Sequence, residues 1–102
     1  MEEKVIAALA TDWNIDTSFS ITKEEVLNAL ALRVSKLLTG SSETFFQMMY
    51  RLDIGETKLA HALTEADPPA AIALLIWDRQ LQKIQSRARY SPPGTPDDEL
   101  KW

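Results

Sequence analysis

Few residues in this chain have the types and spacing that chemistry needs. His61 is the sole histidine, and Glu65 follows four residues later, a spacing that puts two metal ligands on one helical face. No third ligand stands near them in the sequence, so an exposed, solvated pair is the expectation. The chain has no cysteine, which excludes thiolate nucleophiles, disulfides and Cys-held zinc or iron–sulfur sites. Acidic pairs occur at Glu2-Glu3, Glu24-Glu25 and Asp97-Asp98-Glu99, where helix N-terminal charge or tail solubility explains them without catalysis. Gly40, Gly55 and Gly94 stand alone, so there is no phosphate-cradling loop. No spacing marks out a Ser-His-Asp site. The expectation is a non-catalytic protein with no cofactor and no metal; an enzyme of unknown class is the third reading.

A stronger pattern lies near the C-terminus. Leu74, Trp77, Leu81, Ile84 and Ala88 recur in steps of three and four, the seam used by helices that pack on one neighbour. Arg79, Lys83 and Arg87 fall four apart on the opposite side of the same helix. Gln80, Gln82 and Gln85 fill its flanks, and Asp78 reads as a solvated neighbour of Trp77. This end of the helix is the candidate partner-binding surface, carried by Arg79, Leu81, Lys83, Ile84 and Arg87. Burial along the seam would hold a partner protein, or a second copy as a homodimer, and the cationic stripe would select an acidic one.

The stretch MMYRLDIGETKLAHAL, residues 48–63, breaks one amphipathic run and starts another. It resembles helix-turn-helix units over about twenty residues: Leu52, Ile54 and Leu59 stand where that motif keeps apolar residues. Two positions depart from the motif. Met49 occupies the place of a small residue that lets the helices cross closely, and Asp53 stands where the sharp turn usually has glycine. The resemblance implies a reading helix that exposes Lys58, Thr57 and His61, yet Glu56 and Glu65 share that face and would meet phosphate. A nucleic-acid binder is therefore the runner-up, and the plainer expectation is a helix corner with Asp53 as a cap and Gly55 as the flexible residue.

The elements that would position these residues are mostly helical. Val5, Ile6, Leu9 and Trp13 predict a first helix over about 3–12. Asn14 to Ser20 alternates with a period of two and has no partner strand, so it predicts an extended connector laying Ile15 and Phe19 on the helices. Thr22 with Glu25 forms a capping box, Ile21 and Val26 a hydrophobic staple, and Gly40 a C-terminal stop for the second helix. A serine at 41 or 42 caps a third helix whose face is Phe45, Met48, Met49 and Leu52, with Phe46 and Tyr50 on its flank. Asp53 and Glu56 predict a second capping box before a fourth helix with Leu59, Ala62, Leu63 and Ala66 inward. Asp67-Pro68-Pro69 opens a fifth helix reaching about Arg89, apolar nearly all round at its start and so central. Leu32 is expected on the polar side of the second helix.

The 102 residues suit one domain, and a hydrophobic fraction of 45% suits a folded one. The net charge of −4 disfavours a phosphate backbone as partner. The apolar runs at Val5–Ala10 and Pro68–Trp77 are too short for a signal peptide or a membrane span, so no membrane role and a cytoplasmic location are expected. The expected architecture is all-α: a compact bundle of four to five helices over residues 1–90, with an extended N-terminal connector. A flexible, disordered, Pro-rich acidic tail, SPPGTPDDELKW, is expected over 91–102, and its Trp102 is read as idle. The leading function is a non-catalytic adaptor or regulatory domain that works through protein–protein contact.

Overall fold

The computed structural model describes residues 2–17 and 21–90. Five helices follow in order: α1 Glu2–Trp13, α2 Lys23–Gly40, α3 Ser42–Arg51, α4 Glu56–Leu63 and α5 Pro68–Tyr90. No strand occurs among the described residues, so the fold is all-α. Phe19, the tail at 91–102 and the side chain of Ala88 lie outside what is described.

Local chemistry explains most of the boundaries. The Thr22 amide donates to Glu25 Oε1 at 2.8 Å, and the Glu25 amide donates back to Thr22 Oγ1 at 3.2 Å, so two otherwise unpaired donors are satisfied at the start of α2. Ile21 packs against the core in which Val26 is fully buried, as a staple requires. Gly40 is not the stop: it stays helical and does not turn left-handed. Ser41 ends α2 instead, in an extended conformation at φ −143°. Its amide donates to the Leu37 carbonyl at 2.8 Å, and its hydroxyl accepts the Thr44 amide at 3.3 Å. One serine thus closes α2 and opens α3, which makes a left-handed glycine unnecessary. Asp67 caps α5 by accepting the Ala70 amide at 3.4 Å, with both prolines in the first turn where no donor is missed.

The core draws on every helix. Val5 and Leu9 of α1, Val26, Leu30 and Val34 of α2, Phe45 and Met49 of α3, Leu59 and Ala62 of α4, and Ile72, Ile76 and Trp77 of α5 form one cluster. Full burial of a large apolar side chain contributes about 1.5–3 kcal/mol, so this cluster dominates the folding energy. α5 lies at the centre, against α1, α2 and α4, while α3 packs on α2. The Lys23 ammonium sits 5.1 Å from the ring centre of buried Trp77, a cation–π contact that ties the start of α2 to α5.

Two apolar faces differ from expectation. The buried side of α5 is Ile72, Ala73, Ile76, Trp77 and Gln80, and Leu74 is exposed. α1, α2 and α4 all pack on α5, and Ile72, Ala73 and Ile76 are its most deeply buried residues. Leu74, one residue or about 100° further round, is turned to solvent, and Gln80 turns inward. On α4, Leu63 is also exposed, and Ala66 lies past the helix end, because the helix stops at Leu63.

Candidate docking surface

The cationic stripe of α5 is only partly free. Arg79 Nε donates to the Leu52 carbonyl at 3.1 Å, Nη2 to Asp53 Oδ2 at 3.1 Å and Nη1 to Gln82 Oε1 at 3.4 Å. The guanidinium is a clamp on the end of α3. Leu81 and Ile84 are half-buried against the core, and Lys83 is half-buried beside them. Arg87 is exposed. Of the five residues singled out on this helix, Lys83 and Arg87 carry the outward charge, and no large apolar side chain beside them is fully exposed.

The corner after α3 has an unexpected construction. Asp53 is not the cap of α4; Gly55 is, at φ −61° and with no side-chain hydrogen bond, so its flexibility is not used. Asp53 instead takes the left-handed conformation, φ 61°, and Ile54 then donates its amide back to the Met49 carbonyl at 3.1 Å while burying its side chain. This is a Schellman-type closure with aspartate in the position glycine usually fills. The sharp turn after α3 is therefore made by Asp53 and not by a glycine. The two helices do not cross closely: no Cα of α3 comes within 8 Å of one in α4, and Met49 is buried. Thr57, Lys58 and His61 are exposed on α4 with Glu56, and Glu65, also exposed, lies past the helix end. The groove beside Lys58 holds Asp53, Glu56 and Asp78 against Lys58 and the engaged Arg79. Lys58 thus sits in a mixed, acid-rich setting rather than on a basic face.

An apolar groove of about 360 Å³ lies between α3 and α4. Met49, Ile54 and Leu59 make its floor, and Phe46, Tyr50 and Leu63 its walls. Tyr50 is 86% exposed and Phe46 48% exposed, although Phe46 leans edge-on against buried Phe45 with ring centres 5.1 Å apart. A helix of ten residues with Phe45, Phe46, Met48, Met49 and Tyr50 carries apolar side chains on more than one side. The crowding was visible in the sequence; which side would face solvent was not, because that depends on where α2 lies. Leu32 is exposed on α2, apart from this cluster, as its polar neighbours suggest.

Among the described residues no three His, Asp or Glu side chains converge as a metal site, and Glu65 falls two residues past the end of α4, so it does not share a helical face with His61 as the spacing suggested. No described helix is long and apolar enough to cross a membrane. No family model matches this chain, and neither does any curated protein or solved structure.

Proposed function

We propose that this chain is a non-catalytic helical interaction domain that docks another polypeptide on the aromatic ridge of α3 and the adjoining α3–α4 groove. The carrying observation is Tyr50, a large amphipathic side chain almost wholly in solvent beside Phe46 and above an apolar floor. Tyrosine in such a place offers wide contact area for little lost rotamer freedom, which is why aromatic residues anchor interfaces. The cationic end of α5 keeps the role of a secondary surface through Lys83 and Arg87, since Arg79 is held by α3.

A photo-cross-linking side chain placed at position 50, 83 or 28 of the full chain in its host tests this reading. Adducts at 50 and none at 28, on the polar side of α2, are expected. Adducts confined to 83 would move the surface to α5, and none at any position would overturn the reading. Retention of random duplex DNA at low salt would also overturn it, because non-specific phosphate attraction appears before sequence reading.

A further inference from the structure

Resting on that reading of the ridge, we infer that its occupant is a second copy of the chain, with the two α3 helices laid antiparallel. The outward side of α3 is one strip: Glu43, Phe46, Gln47, Tyr50 and Arg51 line a single open surface. At about 100° per residue these positions span about 140° of the helix, opposite Phe45 and Met49, which are buried. The strip has an acid at its N-terminal end, aromatic residues at its middle and a base at its C-terminal end. Gln47 is its midpoint, equidistant in sequence from Glu43 and Arg51.

That order is self-complementary under a two-fold axis through Gln47. The helix rises about 1.5 Å per residue, so Glu43 and Arg51 lie about 6 Å on either side of the midpoint. Antiparallel pairing brings Glu43 level with Arg51 of the partner subunit at both ends. Each Tyr50 falls between Phe46 and Glu43 of the partner subunit, and the aromatic rings close over the centre. A two-fold contact uses one patch twice, and the charge order of this patch satisfies that. Within the described part of the chain, Glu43 and Arg51 have no ion-pair partner. Arg51 also borders the groove holding Asp12 and Trp13, yet makes no ion pair with Asp12. A parallel arrangement would set Glu43 against Glu43 and Arg51 against Arg51, and the sequence of the strip opposes it.

The association is weak by its size. A ten-residue helix with two exposed aromatics per copy buries less than the roughly 1,200 Å² of a standard stable interface, and each copy carries a net charge of −4. A dimer that forms between micromolar and millimolar concentration follows.

Sedimentation equilibrium of the full chain over that range tests it. The mass average is expected to rise from 11.5 kDa toward twice that value. Arg51→Glu alone and Glu43→Arg alone each set like charges together at both ends and weaken self-association by about tenfold or more. An equimolar mixture of the two variants restores every pair as a heterodimer, and so does the double exchange within one chain. Both positions are exposed, in the first and last turns of α3, where each single reversal also opposes the helix dipole; helical circular dichroism checks the fold of each variant, and the recovery on mixing, which a dipole effect does not give, identifies the contact. A monomer at every concentration overturns the inference and leaves the docking reading to the adducts at position 50. A dimer whose strength ignores both reversals and Tyr50→Ser also overturns it, because the contact then lies elsewhere.

Discussion

At the end of α1, Asn14 turns left-handed at φ 54°, and Ile15 buries its side chain while its amide reaches back to the Ala10 carbonyl at 2.9 Å. At the end of α3, Asp53 and Ile54 repeat the arrangement, down to the amide bond five residues back. Each corner is then clasped by an arginine from a later helix. Arg33 of α2 gives Nε to the Trp13 carbonyl and Nη2 to the Asn14 carbonyl, both at 2.8 Å. Arg79 of α5 gives one donor to a carbonyl, one to the Asp53 carboxylate and one to Gln82. The first clasp satisfies helix-end carbonyls alone; the second divides its donors between backbone and exposed side chains. Helix ends leave carbonyls unpaired, and a planar five-donor group can close two of them at once. The first corner should therefore be the stiffer, and the second, which borders the α3–α4 groove, the more adaptable.

The sharpest way to break this comparison is to remove the buried isoleucines. Ile15→Ala and Ile54→Ala each lose about 2–4 kcal/mol in denaturant unfolding, as truncations of buried aliphatic side chains do. Equal losses support equivalent corners; a loss below about 1 kcal/mol at either would show that its closure is not anchored in the core. The arginines come next. Arg33→Met costs about 1–2 kcal/mol, because two charge-assisted bonds to carbonyls go and water replaces them only in part. Arg79→Met costs about 1 kcal/mol or less, since only one of its bonds reaches a backbone carbonyl and the other two go to exposed side chains. The reverse order would sink the contrast between the corners.

Much of this architecture is legible in the sequence. Thr22 with Glu25, and Asp67 with two prolines, announce helix starts because few other local structures use those residues at those spacings. Val26, Leu30 and Val34 repeat at helical spacing against polar neighbours, so their burial follows from periodicity. The corners were not legible, for a physical reason. Asparagine and aspartate serve both as N-caps and as left-handed closures, and Asp53 followed by Glu56 fits the first role until the backbone shows the second. The clasps leave no periodic trace, because Arg33 and Arg79 reach carbonyls 19 to 27 residues back in sequence. The ridge on α3 was half legible: the surplus of aromatic residues is plain, but tertiary contact alone decides that Phe45 goes in and Phe46 stays out.

Left-handed backbone gives a finer comparison. Asn14→Ala and Asp53→Ala each place a Cβ-bearing residue without a polar side chain in a conformation that costs about 1 kcal/mol, so each should lower stability by about that amount. Glycine at either position relieves the strain and should recover most of the loss. At Asp53 the recovery is the less complete of the two, because glycine also removes the acceptor that Arg79 uses. Thermal unfolding of the four variants reads the pattern; a fully silent Asn14→Ala would mean that the turn relaxes when the side chain is gone.

The smallest effect separates geometry from charge at the second corner. Asp53→Asn keeps a side chain that tolerates the left-handed region and keeps an oxygen for Arg79 Nη2, while it removes the negative charge. The Asp53 side chain is 84% exposed and that of Arg79 30% exposed, so the ion pair is bathed in water and screened by salt. Such pairs contribute about 0–1 kcal/mol, and the asparagine variant should lose about 0.5 kcal/mol or less, with the difference vanishing as salt is raised. Had the clasp been electrostatic, the loss would be larger and the salt dependence steep. A hydrogen bond that survives the loss of charge fits a corner held by the shape of the guanidinium fork, with Leu52's carbonyl as its fixed point and Asp53 as a partner that can let go.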